Sequence, residues 1–229
     1  MFHHKLWLLG QVRFGNLRRF EPPDDMFGWD TGTVIDRYYM EDFLAKYSKD
    51  IQGEVMEVGH DMYTVKFGGD RVTKSDVVHY VEGNPQATIV ADLSNAANIP
   101  SNSFDCIIIV QTLQMIYDVK AAVKELYRIL KQGGVVLATT NGTSKVGLFL
   151  GVDDWGTFWH MTAQSSRMMF EENFGSDAVS IQPYGNLIAC VAFLHGMNVE
   201  DLTKKEINYV DQRYEVITGI RATKPLNNE

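Results

Sequence analysis

Residues able to do chemistry recur at one kind of place in this chain, just after short apolar runs. Glu57-Val58-Gly59-His60-Asp61 closes the first run, Asp76 ends the second, Asp92-Leu93 ends the third and Gln111-Thr112 follows the fourth. A glycine in that position lets the backbone approach a ligand with no Cβ in the way. An ionised carboxylate is a pure acceptor, so one after the second run can take both hydroxyls of a ribose, and one after the third can accept from an adenine amino group. Singly, each residue has an ordinary reading as a turn glycine, a solvated acid or a helix cap. Their order within one repeating pattern points instead to an adenine nucleoside. A second group is aromatic, Asp154-Trp155-Gly156-Thr157-Phe158-Trp159-His160-Met161-Thr162. Trp155 and Trp159 offer flat faces that wall a pocket for a ring or a sugar, and His160 is placed to act as a base, since its imidazole takes a proton near neutral pH. The competing reading of the same segment is loop packing, with Thr162 capping the next helix.

The hydrophobic pattern supplies elements to position these groups. Ile35, Tyr38, Tyr39, Phe43, Leu44 and Tyr47 fall roughly on one helical face that ends near Asp50 to Gly53. Short strands are expected at 54–59, 72–77, 88–92 and 104–110, the last apolar enough to be buried on both faces. Asp118 can cap a helix with the stripe Val119, Ala122, Val123, Leu126, Tyr127 and Leu130, which Gly133-Gly134 stop before a strand at 135–139. Further on, 163–174 reads as a helix, 179–184 as a strand, the apolar 187–197 as a helix and 214–223 as a closing strand. Strands alternating with helices predict an α/β fold, a mostly parallel sheet with helices on both faces. One domain over 34–229 follows an irregular lead-in over 1–33. Ligands of such sheets sit at the carboxyl ends of the strands, near the point where the strand order reverses.

Composition narrows the partners. The 229 residues suit one large domain, and 45% apolar content fills its core. With 21 basic against 29 acidic residues, the formal net charge is -8, which repels a phosphate backbone and argues against nucleic acid. No apolar run approaches the roughly 20 residues that span a bilayer. Residues 1–10, with His3 and His4, read as part of the fold or a loose arm rather than a signal peptide. Cys106 and Cys190 lie in apolar runs and read as buried free thiols, which places the chain in the cytoplasm. The six histidines show no metal-ligand spacing. The expected partner is a small molecule, and a homodimer is the one assembly considered.

Residues 54–140 resemble the class I S-adenosylmethionine-dependent methyltransferases, the broad type-11 group, in its bacterial small-molecule and sugar-pathway branch. Ile99-Pro100-Ser101-Asn102-Ser103-Phe104-Asp105 resembles the family's "LPFPDNSFD" approach to the fourth strand, and Tyr127-Arg128-Ile129-Leu130-Lys131-Gln132-Gly133-Gly134 resembles its "RVLKPGG" turn into the fifth. The resemblance implies a Rossmann-like, seven-stranded sheet with the last strand antiparallel, and S-adenosylmethionine as cofactor. It assigns Glu57, Gly59 and His60 to the loop under the methionine part, Asp76 to the ribose, Asp92 and Leu93 to the adenine, and Gln111 to the end of the fourth strand. Of the family's "E-x-G-x-G-x-G" loop, Gly59 is kept, while the next two glycine positions are Asp61 and Tyr63. The helix between the second and third strands is expected to be short or absent. In this family an N-terminal helix often covers the cofactor, which gives Tyr38 and Tyr39 a substrate-side role; core packing is the equal alternative. The aromatic segment resembles the "DYWRFT" of bacterial members, with His160 at the arginine position. Gln114-Met115 stands where many relatives carry "E-H", so no base is available there. A nicotinamide enzyme would need G-x-G-x-x-G after the first strand to seat a pyrophosphate, and the chain has none. The function implied is methyl transfer to the oxygen or nitrogen of a small metabolite. A methyltransferase-like protein that binds the cofactor without catalysis is the alternative.

Overall fold

The computed structural model describes residues 15–24, 27–147 and 156–226. The arm at 1–10 and Trp155 lie outside them. Apolar β-branched runs build the sheet. Phe104–Val110 (β4) is its centre, with four consecutive core residues from Cys106 to Ile109. Around it stand Gly53–Val58 (β1), Val72–His79 (β2), Ile89–Val90 (β3), Leu130–Asn141 (β5), Val179–Tyr184 (β6) and Ile217–Thr223 (β7). The order is β3-β2-β1-β4-β5-β7-β6, parallel throughout except β7, which runs antiparallel to both neighbours. Strand order reverses between β1 and β4, and the carboxyl ends there form the crevice.

Ile35–Lys46 (α1), Val119–Ile129 (α2), Ala163–Phe174 (α3), Leu187–Leu194 (α4) and Lys204–Asn208 (α5) flank the sheet. The Asp118 carboxylate accepts from Ala121 N, Thr162 and Ser165 form a reciprocal cap on α3, and Asn186 accepts from Ala189 N to start α4. One core joins α2 and α3 to Met56, Ile107, Ile109, Val136 and Ala138; the other joins α1 and α4 to Val55, Cys106, Ile108, Val135 and Leu137. Odd and even positions of each strand thus serve opposite faces. Each fully buried Leu or Val contributes about 1.5–3 kcal/mol.

Two expectations change. Gly133-Gly134 do not stop the helix: α2 ends at Ile129 and β5 begins at once with Leu130, opposite Phe104. The glycines lie within β5, where a Cβ on Gly134 would stand 2.9 Å from Leu130 Cγ and 3.0 Å from Asp105 O. The second strand runs two residues beyond 77, to His79, so Asp76 is not at its end. The expected absence of a helix between β2 and β3 holds and extends further: β1 and β2 are joined by a single π-turn at Thr64–Gly68 and a short 3-10 turn. Residues 27–33 are packed on the domain, Phe27 stacking on Phe193 and Thr33 bonded to Glu200. Both cysteines are free and buried. Among the described residues no helix is long and apolar enough to cross a membrane, and no His, Cys, Asp and Glu group could hold a metal.

Candidate functional site

Glu57 is the last inward-facing side chain of β1 on the α1 side, and it is completely buried. Its Oε1 accepts from Tyr63 N at 3.2 Å and pairs with His60 Nδ1 at 2.9 Å; its Oε2 accepts from Thr64 N and Thr64 Oγ1, both at 2.7 Å. Four partners saturate the carboxylate. These bonds fold the loop back onto β1. The bond from Glu57 raises the imidazole pKa of His60, against the opposing effect of burial. Gly59 sits at φ +84° with nothing within 4 Å of where a Cβ would stand. Its N–H donates to Val78 O, and its carbonyl accepts from Asn84 Nδ2 at 2.6 Å, so the β2–β3 connection holds the loop from the other side.

Asp76 lies elsewhere than expected. It is opposite Met56, two pairs below the Val58–Val78 pair that ends β1, and only 6% exposed. Thr88 Oγ1 donates to its Oδ1 at 2.9 Å, and Lys74 Nζ stands 2.6 Å from its Oδ2. The contact is an ion pair, and it raises the pKa of the Lys74 ammonium. A carboxylate so placed is closed to a ribose at the strand end. The acid in the turn after β2 is Glu82, exposed and followed by Gly83 at φ +110°. The signal that could have found it is the extra apolar pair Tyr80-Val81, which reads as a continuation of the strand. Asp92 follows β3 as expected: its Oδ1 accepts from Ser94 N and Ser94 Oγ, it is exposed, and Leu93 is buried beneath it.

At the end of β4, Gln111 adopts φ +47°, left-handed for a residue that is not glycine. Such a conformation costs on the order of 1 kcal/mol and collects at ligand sites. Its N–H donates to Thr139 O, and its Oε1 accepts from Gln114 Nε2 at 2.8 Å. Gln114 and Asn141 are each 6% exposed, and among the described residues Gln114 Oε1 and Asn141 Oδ1 have no hydrogen-bond partner. The sequence marked neither as a ligand group: Gln114 drew notice only for standing where many relatives carry "E-H", and Asn141 carries no motif. The backbone of 158–161 is strung between them: Phe158 N and Trp159 N donate to Gln114 O, and Met161 N to Asn141 O.

This anchoring sets the aromatic segment at the carboxyl edge. Trp159 stacks on Tyr117 at 6.1 Å, its indole N–H donating to Ile116 O and Tyr117 O, and Phe158 meets Tyr117 edge-on at 5.4 Å. All three rings are exposed. His160 is exposed as well, with no hydrogen bond to a described residue. The two tyrosines of α1 turn away. Tyr39 is 2% exposed, its hydroxyl donates to Ile207 O at 2.7 Å and its ring leans on Tyr184, so it belongs to the core; Tyr38 donates to Asn208 Oδ1. The residue of α1 that reaches the glycine loop is their neighbour Arg37, whose Nη2 donates to Met62 Sδ at 3.1 Å.

Residues 44–138 match the model of a methyltransferase domain. The ubiquinone/menaquinone biosynthesis C-methyltransferase UbiE of Klebsiella pneumoniae is 30% identical over 139 residues, 58% of this chain and 48% of that protein; its Haemophilus ducreyi counterpart is 28% identical, over 58% and 46%. The chain spans about half the length of the curated relatives it matches. A methyltransferase structure from Archaeoglobus fulgidus superposes with TM-score 0.53 at 13% identity, over 82% of this chain and 94% of that one. The [4+2]-cyclase SpnF superposes at 0.55 and 12%, over 91% and 89%. Residues 44–138 thus carry a match to a methyltransferase domain, and the seven-stranded sheet they belong to has the fold of the superposed S-adenosylmethionine-dependent methyltransferase structure.

Proposed function

We propose that the chain transfers a methyl group from S-adenosylmethionine to an oxygen or nitrogen of a small-molecule acceptor at the carboxyl edge of β1, β4 and β5. The observation that carries this reading is Gly59, left-handed and facing open space where the strand order reverses. The residues present suit the cofactor. Gly59 gives room for the methionine part above the loop that Glu57 and His60 fix. Glu82 takes the ribose role expected of Asp76. Asp92 and Leu93 stand where an adenine would be read, and Gln111 closes the floor. When bound, the cofactor supplies a methyl on a sulfonium whose leaving group is already activated.

The chain then has to orient the acceptor and exclude water, and positioning of this kind supplies much of a displacement's rate. Tyr117, Phe158 and Trp159 form the proposed wall, and the free Asn141 and Gln114 oxygens are acceptors for an N–H or O–H of the bound molecule. Trp155 is proposed to extend that wall. His160 is proposed to take the acceptor's proton; no described side chain orients it, so the acceptor itself would have to do so. That same observation favours a second reading, binding of the cofactor without methyl transfer, and the cyclase neighbour illustrates that this fold does not fix the reaction.

Calorimetry with S-adenosylhomocysteine tests the first step, with a micromolar dissociation constant, about -8 kcal/mol, expected. A labelled-methyl assay over a metabolite panel separates the two readings: label on oxygen or nitrogen supports ours, label on carbon moves the site toward the activity named for the relatives, and binding with no transfer supports the second.

A further inference from the structure

Asp36 occupies the first turn of α1, and Arg37 beside it touches Met62, so this turn lies over the loop that starts at Gly59. Solvent reaches the Asp36 side chain only partly. Burial pushes its carboxyl up to about 6, against the backbone amides of Asp36 and Arg37 and the charge of Arg37. The guanidinium of Arg37 is engaged elsewhere: Nε donates to Glu41, Nη2 to Met62, and the group covers Trp29 at 5.0 Å. Other charged or titratable groups near this turn include Glu41 on its own helix, ion-paired with Lys66 at 2.7 Å, and Glu57, His60 and Tyr63 in the loop. Among the described residues no side chain donates to Asp36. A carboxylate that water solvates only partly, and that no side chain bonds, is costly unless a ligand brings a donor to it.

A second feature marks this side of the crevice as a ligand site. Thr140 meets Ser166 of α3, so by strand alternation Asn141 projects to the α1 side, where its side-chain oxygen Oδ1 is buried and, among the described residues, unpartnered. We propose that Asp36 is a cofactor-binding residue whose carboxylate pairs with the α-ammonium of the amino-acid end of S-adenosylmethionine. This rests on the reading of the site given above, and it assigns to α1 a contact that the family's glycine loop does not need to make.

Two probes separate the inference from its premise. S-adenosylhomocysteine carries the ammonium; 5′-methylthioadenosine has the same adenosine and thioether without the amino-acid end. Calorimetry on the intact chain and on the isosteric Asp36→Asn should show S-adenosylhomocysteine weakened roughly 10- to 100-fold, the range expected for a lost charged hydrogen bond, with 5′-methylthioadenosine unchanged. An unfolding midpoint no lower than that of the unmodified chain shows that the variant is folded. Equal weakening of both probes, or of neither, overturns the proposal. So does an unmodified chain that binds 5′-methylthioadenosine but not S-adenosylhomocysteine, which leaves the nucleoside site standing. An unmodified chain that binds neither overturns both.

Discussion

The two edges of this sheet are built on opposite rules. At the amino edge the charges that face the sheet are paired. Lys131 Nζ bonds Asp105 at 2.9 Å, Asp105 Oδ2 also accepts from Glu54 N, Arg221 clasps Asp50 at 2.7 and 3.1 Å, and buried Lys224 donates to Asn102 Oδ1 and Leu130 O. Gly53 and Gly134 are there for lack of room: a Cβ on Gly53, at φ +69°, would fall 2.4 Å from Asp105 Oδ2. At the carboxyl edge, Gly59 faces emptiness, two amide oxygens are buried without partners, a glutamine holds a left-handed backbone and three aromatic rings stand in solvent. The same residue type serves stability at one edge and access at the other. Stability accumulates where groups satisfy one another, and unsatisfied groups persist where a ligand completes them.

The sharpest way to break this contrast is to give both glycines a side chain. Gly53→Val should lower the unfolding free energy by about 3–4 kcal/mol, from backbone strain and overpacking together, as read by denaturant titration. Gly59→Val should lower it by only about 1 kcal/mol, the cost of a left-handed backbone. It should instead weaken S-adenosylhomocysteine at least about 100-fold, about 2.7 kcal/mol. Similar stability losses in the two would mean that the carboxyl edge is packed and not open.

Trp159→Ala should raise the acceptor's KM about tenfold, near 1.4 kcal/mol, with little change in cofactor affinity. An unchanged KM would make that ring packing for Tyr117. The smallest expected effect is on the protein without ligand. Folding raises the Asp36 pKa to about 6 from about 3.9 in the unfolded chain, so the folded state binds that proton more tightly. The stability tied to this group is complete below about pH 4 and is lost as pH rises through 6. Asp36→Asn, which cannot ionise, should therefore be more stable than the unmodified protein by about 1 kcal/mol at about pH 8, with the gain vanishing near pH 4. A destabilised variant at both pH values would place Asp36 among the paired groups of the amino edge.

Much of the scaffold was legible because periodicity and caps report local physics. The unbroken Phe104–Val110 run, the Asp118 cap and the Thr162 cap each led to the element that formed. Gly133-Gly134 misled because a glycine pair after a helix usually ends it, whereas here close approach to Asp105 and Leu130 requires it inside a strand. Asp76 misled for a related reason: strand length is set by pairing with β1, which composition does not reveal, and two further paired residues left the acid within the sheet. Asp36 and Asn141 carried no motif, and Gln114 was noted only for standing where many relatives carry "E-H". Their interest lies in what fails to bond them, and that emerges only once the surroundings are assembled.

The outermost strands carry a consequence of their own. A sheet of seven strands ends in two rows of free backbone donors and acceptors, which invite other chains to add a strand. Here one border, β3, is two residues long, and the other, β6, contains Pro183, which has no N–H to offer. Neither border presents the long regular ladder that fibrils and strand-exchanged dimers require. Self-association, if the chain undergoes it, is steered away from its sheet borders and toward helical or loop surfaces, and a protein with an open ligand crevice keeps that openness from becoming a route to aggregation.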